Sequence, residues 1–224
     1  MAVQQDITEQ KQAQEQIKAS LKEKEVLLQE IHHRVKNNLG IVSSLLQMQC
    51  RREQDPQIVT ILRDSQNRIA SIALVHEKLY RSAELSNINI TEYITHLTTY
   101  LFDTYNISFN YIKLKIQVTD VKIKIENIIP IGLIINELVS NALKYAFSEH
   151  RQGEIQISLT QKDDIVTLII CDNGRGLPHD FDIKKRKTLG ITLVSGLVKQ
   201  LRGILEINSQ LGVEFKIIFV PDKN

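Results

Sequence analysis

Proline is absent from residues 9–52, and of nine glycines only Gly40 lies before residue 131. A chain without breakers over that length is free to run as one helix, whereas clustered glycines demand turns. The apolar residues Ile17, Leu21, Leu28, Ile31, Val35, Val42 and Leu45 recur at the three-to-four spacing of a helix stripe. Asp55-Pro56 follows as a cap and a first helical residue. A second helix is expected to about residue 83, with Ile58, Ile61, Leu62, Ile69, Ile72, Val75 and Leu79 on its apolar side. Two such helices bury little alone, so the hairpin is expected to complete a four-helix bundle as a homodimer, unless the rest of the chain covers its stripe.

The period changes further on. Residues 91–105 read as a helix. Leu114, Ile116 and Val118 then alternate with polar residues, as do Ile123 and Ile125, and Ile155, Ile157 and Leu159. The run 165–171 is a more buried strand, and strands are expected at 204–208 and 213–220. Pro130 is expected to open a helix to about residue 147, and another helix spans 189–202, ended by Gly203. The second half therefore reads as an α/β sandwich, one mixed sheet with helices on one face.

At 224 residues the chain allows one or two domains. A formal charge of +2 gives no sign of nucleic-acid binding. Two cysteines, Cys50 and Cys171, make no disulfide framework and fit a reducing, cytoplasmic compartment. No apolar run approaches the ~20 residues of a membrane span, and no signal peptide opens the chain.

Three segments carry chemistry. In residues 30–40, EIHHRVKNNLG, His32 flanks the apolar stripe while His33 points away from it, beside Asn37, Gly40 and Ser44. Adjacent helical histidines make a poor metal site, so His33 is either an accessible functional ring or a surface histidine without a role. On the 130–148 helix, Glu137, Asn141, Lys144 and Ser148 form one polar row opposite Ile131, Ile135, Leu138, Ala142 and Ala146. A carboxylate, an amide and an ammonium in a row suit a magnesium–phosphate group, or form a solvated face. The third, CDNGRGLP at 171–178, sets Asp172 at a strand end before Gly174 and Gly176, as a ligand-contacting turn or simply a turn. A basic stretch, Lys184 to Lys187, reads as a solvated loop or a mobile lid. Thr188, Leu189 and Gly190 then open a helix whose first amides suit phosphate. No Walker loop, GxGxxG, HRD or DFG is present.

In order, H-R-V-K-N, N-E-L-x-x-N-A-x-K-Y, D-N-G-x-G and L-G-x-x-L-V resemble the H, N, G1 and G2 boxes of sensor histidine kinases. The nearest resemblance is to the subgroup with an HHRVKNNL phosphoacceptor helix and a GHKL-type ATP-binding domain, from about residue 16 to the end. The resemblance implies a linker at 1–15, similar to the exit of a PAS sensor domain, a dimerisation and phosphotransfer domain at 16–86, and a catalytic domain at 87–224. It implies ATP and Mg²⁺ as cofactors, a response-regulator receiver domain as partner, an upstream sensor domain, and autophosphorylation of His33, with His32 as runner-up. Asn141 is then the Mg²⁺ ligand, and Lys144 touches the phosphates. Glu137 orients or deprotonates a group near the γ-phosphate. Asp172 accepts from the adenine amino group, Tyr145 lies near base or ribose, and Gly174, Gly176 and Gly190 shape the pocket. A GHKL ATPase or a degenerate kinase serving as a scaffold are the rival readings.

Two positions depart from the pattern. Arg34 stands where many relatives carry an acidic residue after the phosphoacceptor, so Glu30, one turn earlier, is the candidate to orient the ring. Val213 follows Gly212 where relatives often carry threonine, and it supplies no hydroxyl.

Overall fold

The fold, obtained as a computed structural model, is described for residues 2–81, 89–119, 121, 123–147, 152–177 and 189–221. Helix α1 runs Ala2–Arg52 and α2 Pro56–Arg81. At ~1.5 Å per residue α1 is on the order of 75 Å long. Arg51 and Arg52 end it, where cations complement the exposed carbonyls. The turn is closed by side chains. Glu53 accepts from the backbone N–H of Asp55 at 3.0 Å, and Asp55 accepts from that of Gln57 at 2.8 Å, capping α2 ahead of Pro56. The hairpin expected from the stripe is present; Val35, Leu62, Ile69 and Ile72 are partly buried, but many of its large apolar residues remain in solvent. Ile17 is 70% exposed and Ile61 60%.

Helix α3, Ile90–Thr104, is capped by Asn89, which accepts from the Glu92 N–H at 3.1 Å. Its residues Ile90, Ile94, Leu97 and Leu101 are buried at helical spacing. Strands β1 (Ile112–Thr119), β2 (Gly153–Lys162), β3 (Ile165–Asp172), β4 (Ile204–Asn208) and β5 (Val213–Phe219) form one sheet in the order β1-β2-β3-β5-β4. Only β1 and β2 are parallel; the other pairs are antiparallel. Register places Ile155, Ile157 and Leu159 of β2 on the same face as Val166, Leu168 and Ile170 of β3. All six are buried there. Ile112 of β1 and Phe215 and Ile217 of β5 join this core, and helices α3, α4 (Ile125–Asn141) and α5 (Leu189–Gln200) cover it with residues including Ile131, Ile135 and Val194.

Two expectations fail around α4. Ile123 and Ile125 do not continue a strand, because the helix already begins at Ile125, with the N–H groups of Asn127 and Ile128 bonded to the Lys124 carbonyl. Ile128, Ile131 and Ile135 carry a helical period that outweighs two alternating residues. Pro130 therefore lies inside α4 rather than opening it. The helix also does not run on as an α-helix to residue 147. It widens into a π-helical segment, Ala142–Ala146, and Phe147 is extended. Such single wide turns are a common feature of functional sites.

Candidate functional site

The π segment ends against the turn that follows β3. Its last carbonyl, that of Ala146, accepts from the Arg175 N–H at 2.9 Å. The turn after β3 thus docks on the end of the α4 extension. At Gly174 a Cβ would lie 2.4 Å from that carbonyl oxygen, so only glycine permits the approach. Asp172 folds the turn by accepting from the Gly174 N–H at 2.9 Å. Gly176 has a positive φ of 77°. Leu177 then donates from its N–H to the Ser209 hydroxyl at 2.8 Å, tying the turn to the β4–β5 connection. Burial holds the Asp172 carboxyl above its usual range, although the N–H groups of Gly174 and Val213 oppose the shift.

The polar row on α4 is not a solvated face. Glu137 is 3% exposed, and Asn141 and Lys144 are half-buried. With Tyr145 and Gly190 they line a cavity of about 290 Å³ that is closed on its far side by α2. Gly190, the second residue of α5, is buried, and a Cβ on it would meet the Glu137 carboxylate at 2.8 Å. Close packing there brings the N-terminus of α5 onto Glu137 and Asn141. The side chain of Leu189 lies outside the described residues, as do Ser148, Thr188 and the basic stretch at 184–187.

Helix α2 supplies the residues that sequence reading missed. Arg68 donates to both Glu137 oxygens, at 2.5 and 2.9 Å, and Lys144 is paired with Asp64. Tyr105 sits with its ring 5.5 Å from the Lys144 ammonium and its hydroxyl 3.4 Å from the Asn67 amide. Burial alone would lower the Lys144 ammonium, but the hydrogen bond and charge of Asp64, with Tyr105, outweigh it and hold the group above its usual range. Asp64 and Arg68 are four apart, which in sequence reads as an ordinary pair within one helix. Nothing in the sequence told that they face another element.

Two predicted groups lie apart from that cavity. Asp172 lines a second cavity, also about 290 Å³, with Glu154, Cys171, Gly212 and Glu214. Ala146, which follows Tyr145 of the first cavity, accepts through its carbonyl from the Arg175 N–H of the turn that begins at Asp172. His33 is exposed on α1 and is not among the residues lining either cavity. Glu30 is not held for the His33 ring. It accepts from Arg34 Nε at 2.8 Å, its partner at the i+4 position that best overlies it.

These features are those of an ATP-binding α/β domain behind a long helical hairpin, and known proteins agree. Residues 30–105 match the family described as "Histidine kinase", and residues 110–224 the one described as "Histidine kinase-, DNA gyrase B-, and HSP90-like ATPase". The chain belongs to this ATPase family, with a histidine-kinase helical region preceding the ATP-binding domain. The sensor histidine kinase PdtaS of Mycobacterium tuberculosis is 31% identical over 85% of this chain and 37% of its own length. The PdtaS of Mycolicibacterium smegmatis is 30% identical over 87% of this chain and 38% of its own length, so the chain spans well under half of these relatives. In fold it is similar to the histidine kinase domain of a blue-light-activated histidine kinase from Erythrobacter litoralis. The TM-score there is 0.62 at 24% identity, covering 88% of this chain and 91% of that one. Among the described residues no helix is long and apolar enough to cross a membrane.

Proposed function

We propose that this core phosphorylates itself on His33 from ATP and passes the phosphoryl group to an aspartate of a response-regulator receiver domain. The observation that carries the reading is the meeting of Glu137, Asn141, Lys144 and the first turn of α5 at one cavity, with Asp172 on the adjoining turn. Asp172 accepts from the adenine amino group, while Gly174 and Gly176 let the backbone approach the base and Tyr145 borders it. Lys144, Thr188 and the N-terminus of α5 at Leu189 and Gly190 hold the phosphates.

The oxygen donors here, the Asn141 amide beside the Glu137 carboxylate, fit Mg²⁺, a hard ion that takes few protein ligands beside phosphate oxygens. Asn141 would hold it, and when bound it supplies charge neutralisation at the phosphates. His33 attacks the γ-phosphorus in line; the N–P bond forms as the P–O bond to ADP breaks, and ADP leaves. Glu137 positions groups beside the γ-phosphate.

The hairpin, residues 16–86, serves as dimerisation and phosphotransfer domain, and residues 87–224 as catalytic domain. The exposed stripe that includes Ile17, Leu21, Ile31 and Leu45 supports a homodimer, since the ATP-binding domain leaves it uncovered. A PAS-like sensor upstream and a cytoplasmic setting complete the proposal. Incubation with γ-labelled ATP and Mg²⁺ tests it. Acid-labile, base-stable label is expected in wild type and in His32→Ala, and none in His33→Ala. Label lost only from His32→Ala moves the acceptor by one residue, and no label in any of the three refutes the reaction.

A further inference from the structure

Helix α2 presents Asp64 and Arg68 one turn apart, and both reach the cavity over α4. Arg68 forks onto the two oxygens of Glu137, and Asp64 takes the ammonium of Lys144. The four side chains are a quarter exposed or less. The pairs are reciprocal: α2 carries minus then plus, and the α4 side carries minus at 137 and plus at 144. Docking in the opposed sense would set Asp64 against Glu137 and Arg68 against Lys144, two repulsions in place of two attractions. Asn67, on the turn between them, adds its contact to the Tyr105 hydroxyl. The hairpin is thus held on the ATP-binding domain through Lys144, which takes the phosphates in the proposed function, and Glu137, which lies beside the γ-phosphate there.

We infer that α2 and the nucleotide phosphates are alternative occupants of this site, so that the docked hairpin is a latch that keeps ATP out and is itself released by ATP. The inference rests on the proposed function for Lys144 and Glu137. One ammonium cannot serve the Asp64 carboxylate and a triphosphate at full strength, and the polyanion, once engaged, leaves Asp64 facing like charge. By linkage, whatever draws α2 away tightens ATP binding by the factor by which ATP weakens docking. Release of α2 also frees the hairpin bearing His33 to move relative to the ATP-binding domain. A twist entering along α1 therefore has a defined target, the two ion pairs of α2.

The test is calorimetric titration of the full chain with a non-hydrolysable ATP analogue and Mg²⁺, comparing wild type, Asp64→Asn and Arg68→Gln. Circular dichroism confirms that each variant is folded. Both variants are expected to bind about fivefold or more tightly than wild type, within the usual range of coupling between sites. Arg68→Gln decides the matter. Removal of a cation beside a phosphate site weakens binding by simple electrostatics, whereas loss of a latch strengthens it. Weaker or unchanged affinity in Arg68→Gln, or unchanged affinity in Asp64→Asn, overturns the latch while leaving the ATP site intact. If none of the three proteins binds the analogue, the ATP-site reading falls, and the latch with it.

Discussion

Ile31 and Ile131 occupy the same kind of position, each on the apolar stripe of a helix. Ile31 is 53% exposed and Ile131 fully buried. The contrast holds for the two regions around them. In the α/β domain, α4 lays its stripe on a sheet whose own inward residues complete the core. In the hairpin, α1 and α2 face each other, and a row of large apolar side chains remains in water. Periodicity states that a helix has a face to bury; it does not state where the covering surface comes from. The first region is finished within the chain, and the second awaits a partner, which the proposed homodimer supplies.

The largest effect that separates the regions is a core truncation. Ile157→Ala, at a fully buried site in β2, is expected to cost about 2–5 kcal/mol, read by urea denaturation. Leu45→Ala on α1 is expected to change the stability of dilute, dissociated protein by less than about 0.5 kcal/mol. Equal costs for the two would break the comparison. Sedimentation equilibrium sharpens it from the other side, since Leu45→Glu places a charge in the proposed seam and weakens self-association without loosening the sheet.

Next in size is Gly174→Ala. Because a Cβ there collides with the Ala146 backbone, overpacking of about 1–3 kcal/mol is expected. Hydrogen exchange would localise the loosening to the 172–177 turn and leave the hairpin unchanged.

Asp172 is expected to show a smaller effect of opposite sign. Its folded pKa lies above the unfolded value, so the folded form favours the protonated acid, and ionisation at neutral pH subtracts from stability. Asp172→Asn keeps an oxygen for the Gly174 N–H and is expected to raise the melting temperature of nucleotide-free protein at pH 7. The gain shrinks as pH falls toward the acidic range where wild-type Asp172 takes up its proton. Adenine nucleotide affinity is expected to drop in the same variant. A melting temperature unchanged at pH 7 would show that Asp172 ionises without cost.

Smallest of all is Glu30→Gln. Its pair with Arg34 is exposed on both sides, so no more than about 0.3–0.5 kcal/mol of α1 stability is expected to depend on it, less at high salt. Thermal melts at low and high salt measure the difference.

Much of the fold was legible because burial leaves a periodic trace. The hairpin, the strands at Leu114–Val118 and Ile155–Leu159 and the helix after Leu189 all follow from spacing alone. The misreading at Ile123–Pro130 came from a window too short to separate two periods, with a proline that looked like a boundary and lies inside the helix. The π turn left no trace in spacing; it ends where Arg175 and Gly174 dock on Ala146, a contact between segments far apart in the chain. For the candidate site, Glu137, Asn141, Lys144 and Gly190 were legible as a polar row and a helix start, and they line one cavity. Asp64, Arg68 and Tyr105 were not, because their partners are 80, 69 and 39 residues away along the chain.

The sequence by itself determined most of the helices and strands outside residues 123–147, which faces are apolar, and which polar groups stand in a row. Those properties are local, repeated every two or three-to-four residues by backbone geometry. Only the tertiary structure decided that Glu137 is buried and Asn141 and Lys144 half-buried, that α2 covers them, and that Glu137 and Lys144 are met by opposite charges. An ion pair across the fold depends on where two elements come to rest, and that is settled by the packing of the whole core rather than by either segment.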